Sequence, residues 1–274
     1  MITSATNGRI KWVVSLTEKA RMRRKEQKYV AEGIRMLLEA PKEAIAEAYI
    51  SETFLKRAGV KDSQEAVCMQ HIKASGAEIL DVSDDVFRKL SDTVNPQGIL
   101  AVMRMAETSP EEMLNENQTP LFMILENLQD PGNLGTVLRT AEGAGCSGII
   151  LSRDCVDLYN PKVIRSTMGA IFRVPFFYTD NLIETMDDLR QKGVRIYAAA
   201  LDEQAAAYDT YSYEHATAFL VGNEGNGLTQ EAIAAAGQTC YIPMEGKVES
   251  LNASVAAAIL MYEAYRQRRN RKVS

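Results

Sequence analysis

Residues 121–144 read LFMILENLQDPGNLGTVLRTAEGA. Residues 121–125 are an unbroken apolar run, the composition of a strand buried on both faces. Residues 126–132 are a polar loop with an Asp-Pro-Gly turn signal. Residues 133–143 then read as a helix, with Asn133 placed to cap it. Strand, loop and helix make the first half of a βα unit, and the pattern continues downstream. Residues 148–151, 173–177, 195–200, 217–221 and 240–242 read as strands. Residues 161–169, 182–192, 230–236 and 253–269 read as helices, and Gly193 is a good residue to follow the second of these. Short connections between alternating strands and helices imply an α/β fold with a mostly parallel sheet covered on both faces.

Toward the N-terminus the character changes. Residues 108–119 hold Ser109-Pro110 and the polar run Asn115-Glu116-Asn117-Gln118, which reads as a linker with at most one helical turn over 111–115. Before it lies a smaller α/β unit. A helix is expected over 17–40, basic first and then apolar at Ile34, Leu37 and Leu38. Strands are expected at 48–50, 78–82 and 98–105, and helices at 65–75 and 84–90, the last capped by Ser83 or Asp84. The expected division is 1–107, 108–119 and 120–274.

Composition narrows the function classes. The 274 residues are 46% hydrophobic, enough for a substantial core. No apolar run approaches the roughly 20 residues of a membrane span, and residues 1–11 lack a signal-peptide core. A soluble cytoplasmic protein is expected. Cys68, Cys146, Cys155 and Cys240 are scattered, which suits reduced thiols and no metal site. With only His71 and His215, histidine-based catalysis is poorly supplied. The net charge of −5 does not announce a nucleic-acid binder, but the cations are clustered. Arg9, Lys11, Arg23, Arg24 and Lys25 form a candidate phosphate-binding patch, and Arg266, Arg268, Arg269, Arg271 and Lys272 a basic tail. A solvated helix face is the plainer explanation for both.

Three loops follow strands and precede helices, the positions where parallel sheets bind ligands. The first is Asp130-Pro131-Gly132-Asn133-Leu134-Gly135, with Arg139 further along its helix between Val137, Leu138 and Ala141. The second is Gly222-Asn223-Glu224-Gly225-Asn226-Gly227-Leu228. It lacks the lysine of a phosphate-binding loop, and Glu224 would repel a phosphate, so a neutral or cationic ligand suits it better. The third joins Ile242-Pro243-Met244 to Ser250-Leu251-Asn252-Ala253-Ser254, where Ser250 or Asn252 caps a helix that opens on small residues. A fourth glycine pattern, Gly143 to Gly148, has dinucleotide-binding spacing but lies between a helix and the following strand. That order is reversed, and a helix end explains it.

Together the three loops resemble the motifs of the SpoU/TrmH RNA methyltransferases of the SPOUT superfamily. The N-terminal unit is similar to that family's ribosomal-protein-like RNA-recognition domain through Ser4, Asn7, Lys11, Arg24, Glu32-Gly33 and Pro96-Gln97-Gly98. The resemblance implies a deep trefoil knot in the C-terminal domain, a homodimer with active sites near the subunit interface, and transfer of methyl from S-adenosylmethionine to a ribose 2′-hydroxyl. It assigns cofactor binding to Gly222, Ile242, Met244, Ser250 and Leu251. It places Arg139, Asn133, Glu224 and Asn252 in the catalytic centre, with Glu224 a second candidate proton acceptor. A free arginine, with a pKa above about 12, is a poor base, so Arg139 is expected to bind phosphate and orient the hydroxyl. Ribosomal RNA of the 23S type is the expected substrate. Transfer RNA, or a noncatalytic RNA-binding role on the same fold, are the alternatives, and a nicotinamide-linked enzyme is disfavoured by the reversed glycine pattern.

Overall fold

The computed structural model describes residues 1–106, 108–115, 119–202, 205–248 and 250–271. Lys272 and the 116–118 part of the expected linker lie outside the described residues. The chain divides into two units, Met1–Ala106 with Asp157–Phe172, and Glu107–Val156 with Arg173–Ser274. Sequence order alone would give Asp157–Phe172 to the second domain; packing groups it with the first.

The first unit runs α1 (Gly8–Glu18), α2 (Ala20–Glu26), β1 (Lys28–Glu32), α3 (Ile34–Glu39), β2 (Ile45–Ser51), α4 (Glu52–Ala58), α5 (Gln64–Ala74), β3 (Glu78–Val82), α6 (Asp84–Leu90) and β4 (Ile99–Arg104). Its sheet has the order β1-β4-β2-β3, with β4 antiparallel to both neighbours and β2 parallel to β3. Residues 17–40 do not form the single helix expected of them. Lys19 is extended and Gln27 takes a left-handed conformation, φ 51°, which ends α2. Tyr29, Val30 and Ala31 are then buried by pairing with β4, so tertiary packing overrides the local helical appearance. Ser83 caps α6 as expected, accepting from Val86 N.

The second unit begins with α7 (Pro110–Asn115) and β5 (Leu121–Leu125), continuing through α8 (Pro131–Ala144) and β6 (Gly148–Ser152). Helix α9 (Pro161–Thr167) belongs to the first unit. Then follow β7 (Phe176–Thr179), α10 (Leu182–Gln191), β8 (Arg195–Ala199), β9 (Ala206–Ala207), β10 (Thr217–Val221), α11 (Gln230–Ala236), β11 (Gly237–Tyr241) and α12 (Ala253–Arg271). Seven parallel strands take the order β7-β6-β5-β10-β8-β11-β9. β5 and β10 are buried along their whole length, as strands covered on both faces must be. The strand expected at 173–177 runs instead over Phe176–Thr179, and the last strand starts at Gly237. Part of the expected linker is core: Met113 is buried against Gly148.

Sheet order, more than element order, creates the site. The chain builds β5, β6 and β7 outward, crosses to β8, and only then fills the slot between β5 and β8 with β10. Such a reversal opens a crevice at the carboxyl ends of the strands. The loops after β5, β10 and β11 all emerge there. Gly145 is left-handed and ends α8, so the glycine pattern at 143–148 is a helix end followed by a strand.

Candidate functional site

The loop after β10 turns on itself through paired backbone bonds, Asn223 N to Gly227 O (3.1 Å) and Gly227 N to Asn223 O (3.0 Å). Gly222 must be glycine for steric reasons. A Cβ there would collide with the Gly227 carbonyl and lie 2.7 Å from Leu228 N. The Asn223 side chain caps the turn, accepting from Gly225 N (2.8 Å) and Asn226 N (3.1 Å). It also donates to Asn127 O (2.8 Å). At the far end of the loop the Glu126 carboxylate accepts from Thr229 N (2.9 Å) and Thr229 Oγ1 (2.7 Å).

The loop after β5 meets it. Asp130, not Asn133, caps α8, its Oδ1 accepting from Asn133 N (2.7 Å), with Pro131 next in the first turn. This corrects the expected cap. It also frees the Asn133 carboxamide, whose Nδ2 donates to Glu224 Oε1 (2.8 Å). Backbone N–H groups of Gln129 (3.4 Å) and Asp130 (3.3 Å) reach the same carboxylate. Burial pushes the Glu224 carboxyl up, but these donors outweigh it and hold the group below its usual range.

The loop after β11 closes the arrangement. Asn252 Nδ2 donates to Asn133 Oδ1 (3.0 Å), and Asn252 Oδ1 caps α12, accepting from Ser254 N (2.9 Å) and Ser254 Oγ (2.7 Å). Of the two cap candidates, Asn252 makes this contact. Three sequence-distant loops are thus joined through Glu224, Asn133 and Asn252.

Beside them lies a cavity of about 510 Å³. Its walls include all five expected cofactor residues, Gly222, Ile242, Met244, Ser250 and Leu251, with Glu224, Leu228 and Leu260. The size falls within the range of small-molecule sites. Apolar side chains suit a purine, exposed backbone suits its polar edge, and a carboxylate with no Lys or Arg among the described lining residues suits a cation. The donor set therefore fits S-adenosylmethionine, a sulfonium joined to a neutral nucleoside. A second cavity of about 570 Å³ lies at Asp202, Tyr211 and Thr239 and contains none of the motif residues.

Arg139 is exposed on α8, outside the cavity lining, with no hydrogen bond or ion pair among the described residues. The basic N-terminal patch divides. Lys11, Arg24 and Lys25 are exposed, while Arg9 is held by Glu78 (2.6 Å). Arg23 is 3% exposed and makes four hydrogen bonds, two to Asp157 and one each to the carbonyls of Leu16 and Thr17. Its guanidinium is committed within the first unit, so Arg23 leaves the set of phosphate contacts. In the basic tail Arg266 pairs with Glu263, and Arg268 donates to the carbonyls of Thr119, Pro120, Tyr213 and His215. The four cysteines are free, and burial pushes the Cys68 and Cys240 thiols up to about 12. Among the described residues no helix is long and apolar enough to cross a membrane, and no three His, Cys, Asp or Glu cluster as metal ligands.

Sequence reading missed Glu126, Asn127, Asn223 and Thr229. Asn223 and Thr229 are locally legible only as a turn residue and a helix cap, and the contacts that tie them to Asn127 and Glu126 span 96 and 103 residues.

Comparison with known proteins identifies the family and the fold. Residues 120–262 match the SpoU rRNA Methylase family, and residues 7–101 the MRM3-like substrate binding domain. The chain is 34% identical over 262 residues to the 23S rRNA (guanosine(2553)-2′-O)-methyltransferase RlmP of Bacillus subtilis, covering 95% of this chain and 97% of that protein. It is 33% identical to the 23S rRNA (guanosine-2′-O-)-methyltransferase RlmB of Shewanella oneidensis, covering 87% and 96%. The crystal structure of an AdoMet-bound rRNA methyltransferase from Sinorhizobium meliloti superposes with a TM-score of 0.83 at 28% identity, covering 97% of each chain.

Proposed function

The chain belongs to the SpoU rRNA Methylase family, and from that premise we propose that it methylates a ribose 2′-hydroxyl of 23S-type ribosomal RNA, using S-adenosylmethionine. The observation that carries this reading is the joining of the three loops through Glu224, Asn133 and Asn252 beside a cavity of fitting chemistry.

S-adenosylmethionine supplies an electrophilic methyl group on a sulfonium. Gly222, Ile242, Met244, Ser250 and Leu251 hold the cofactor, largely through backbone. The reaction is an in-line displacement, so orienting the attacking hydroxyl is much of the work. Arg139, exposed and without a partner among the described residues, binds a phosphate of the substrate through its planar guanidinium and sets the hydroxyl's position. Asn133 and Asn252 keep the three loops in register.

The 1–107 domain recognises the RNA, with the exposed Lys11, Arg24 and Lys25 as its phosphate contacts. The working form is a homodimer with the knotted path of its family, in the cytoplasm. Support for the dimer comes from α12, which packs along α8 and leaves Val255, Tyr262 and Tyr265 exposed. Ribose methylation is tested with purified chain, labelled S-adenosylmethionine and 23S rRNA, followed by nuclease digestion. Label in a 2′-O-methylnucleoside is expected. Label entering only transfer RNA would move the substrate to that class, and label on a base would refute the reading.

A further inference from the structure

The side chains that join the three loops form a chain with a direction. A carboxylate only accepts hydrogen bonds, whereas a carboxamide donates through nitrogen and accepts through oxygen. Glu224 Oε1 must therefore face the Asn133 nitrogen (2.8 Å). That turns the Asn133 oxygen toward Asn252, which must offer its nitrogen (3.0 Å). The Asn252 oxygen is left for the α12 terminus, where Ser254 N, Ser254 Oγ and Val255 N donate to it. The far end imposes the same direction, because a helix N-terminus presents N–H groups that need an acceptor. An acceptor-only group at one end and donors at the other leave a single consistent orientation for both amides.

We infer that Glu224 is a positioning residue: it fixes the direction of this amide chain, and through it the two walls of the cofactor cavity, and it does not take the ribose proton. This deepens the methyltransferase reading and rests on it. Gly222 and Gly227 flank Glu224 on one wall, and Ser250 and Leu251 immediately precede Asn252 on the other. A flipped amide would set nitrogen against nitrogen or oxygen against oxygen at the junction of those walls. A general base needs a lone pair free to reach its proton. Glu224 Oε1 accepts from both Asn133 Nδ2 and Asp130 N, which takes up its two lone pairs, and Oε2 accepts from Gln129 N, so all three donors commit the carboxylate to the loop after β5. The same donors hold the carboxyl below its ordinary range, which weakens it further as a base.

The test uses the full chain and two readouts: calorimetric affinity for S-adenosylhomocysteine, and the rate of methyl transfer to ribosomal RNA. Glu224→Gln keeps an oxygen for Asn133 and Asp130 and loses acceptance only at Gln129 N, the longest contact (3.4 Å). Both readouts should fall by no more than about tenfold, the scale of one weak hydrogen bond. Glu224→Leu removes every acceptor, and affinity should fall about 100-fold. Asn133→Asp sets two carboxylates against each other and should be as severe. Combining Asn133→Asp with Glu224→Gln should restore affinity to about that of Glu224→Gln alone, because the new carboxamide donates to the new carboxylate while its second oxygen still accepts from Asn252. A Glu224→Gln chain that binds cofactor but transfers methyl no faster than Glu224→Leu would make Glu224 the proton acceptor. A double variant no better than Asn133→Asp would show that the direction is irrelevant. Either result overturns the inference while leaving the family reading standing. Wild-type chain that binds no S-adenosylhomocysteine would overturn both.

Discussion

Replacing Gly222 by alanine tests whether the loop after β10 shapes the cofactor site. The added methyl would collide with the Gly227 carbonyl and come within 2.7 Å of Leu228 N, where ordinary contacts begin at 3.4 Å. Both neighbours are backbone, so no side chain can swing aside. The loop must open, and the paired bonds between Asn223 and Gly227 are the first to be strained. Overpacking of this kind costs about 1–3 kcal/mol. If that cost falls on the bound conformation, S-adenosylhomocysteine affinity drops roughly 10- to 100-fold, at 1.4 kcal/mol per factor of ten. Gly246→Ala is the control, because a Cβ there meets nothing within 4 Å. Calorimetric titration of wild type and both variants gives the affinities, and a thermal melt confirms that each is folded. A Gly222→Ala chain that melts normally and binds within twofold of wild type would refute the steric reasoning.

Other outcomes follow from the same geometry. Arg139→Ala should lower the methyl-transfer rate at least tenfold, with melting temperature and cofactor affinity unchanged, since the exposed guanidinium has no partner to lose among the described residues. Arg23→Ala should destabilise the first unit by about 3 kcal/mol, seen in chemical denaturation, because it leaves the half-buried Asp157 and the carbonyls of Leu16 and Thr17 without their buried partner. Arg24→Ala with Lys25→Ala should weaken RNA binding at unchanged cofactor affinity. Its log–log salt dependence should flatten by about 0.7–0.9 for each phosphate no longer neutralised. Glu224 has a lowered carboxyl pKa, so its hold on the loop is complete above the unfolded value of 4.5 and is lost as pH falls through the lower folded value. Cofactor affinity should therefore be flat from about pH 5 to 8; a decline already between pH 7 and 6 would contradict the assignment.

How much was legible depended on whether a residue's role was local. β5, β10 and α11 were read to their observed ends because their patterns are strong and bounded by turn residues. The three loops that meet at the candidate site could be singled out for a different reason. Gly222, Glu224 and Asn252 sit in loops that follow strands and Asn133 in the first turn of the helix after one, and such positions carry chemistry more often than packing. Residues 28–32 failed because Lys, Tyr and Glu there give no alternation, and only pairing with β4 makes them a strand. Arg23 failed because sequence shows charge but not burial. Its partner Asp157 is 134 residues away. The α8 cap was misassigned because Asp130 and Asn133 are both good cap residues three apart. Geometry gives the cap to Asp130 and leaves Asn133 for Glu224.

The most direct test of the central claim is a comparison of ribosomal RNA from cells with and without this gene, mapped for 2′-O-methylation by resistance of the adjacent phosphodiester to alkaline cleavage. The account predicts that one site in 23S-type RNA loses its protection when the gene is removed. It predicts that the wild-type gene restores protection and that Arg139→Ala does not. Identical maps with and without the gene, or restoration by the Arg139→Ala chain, would contradict it.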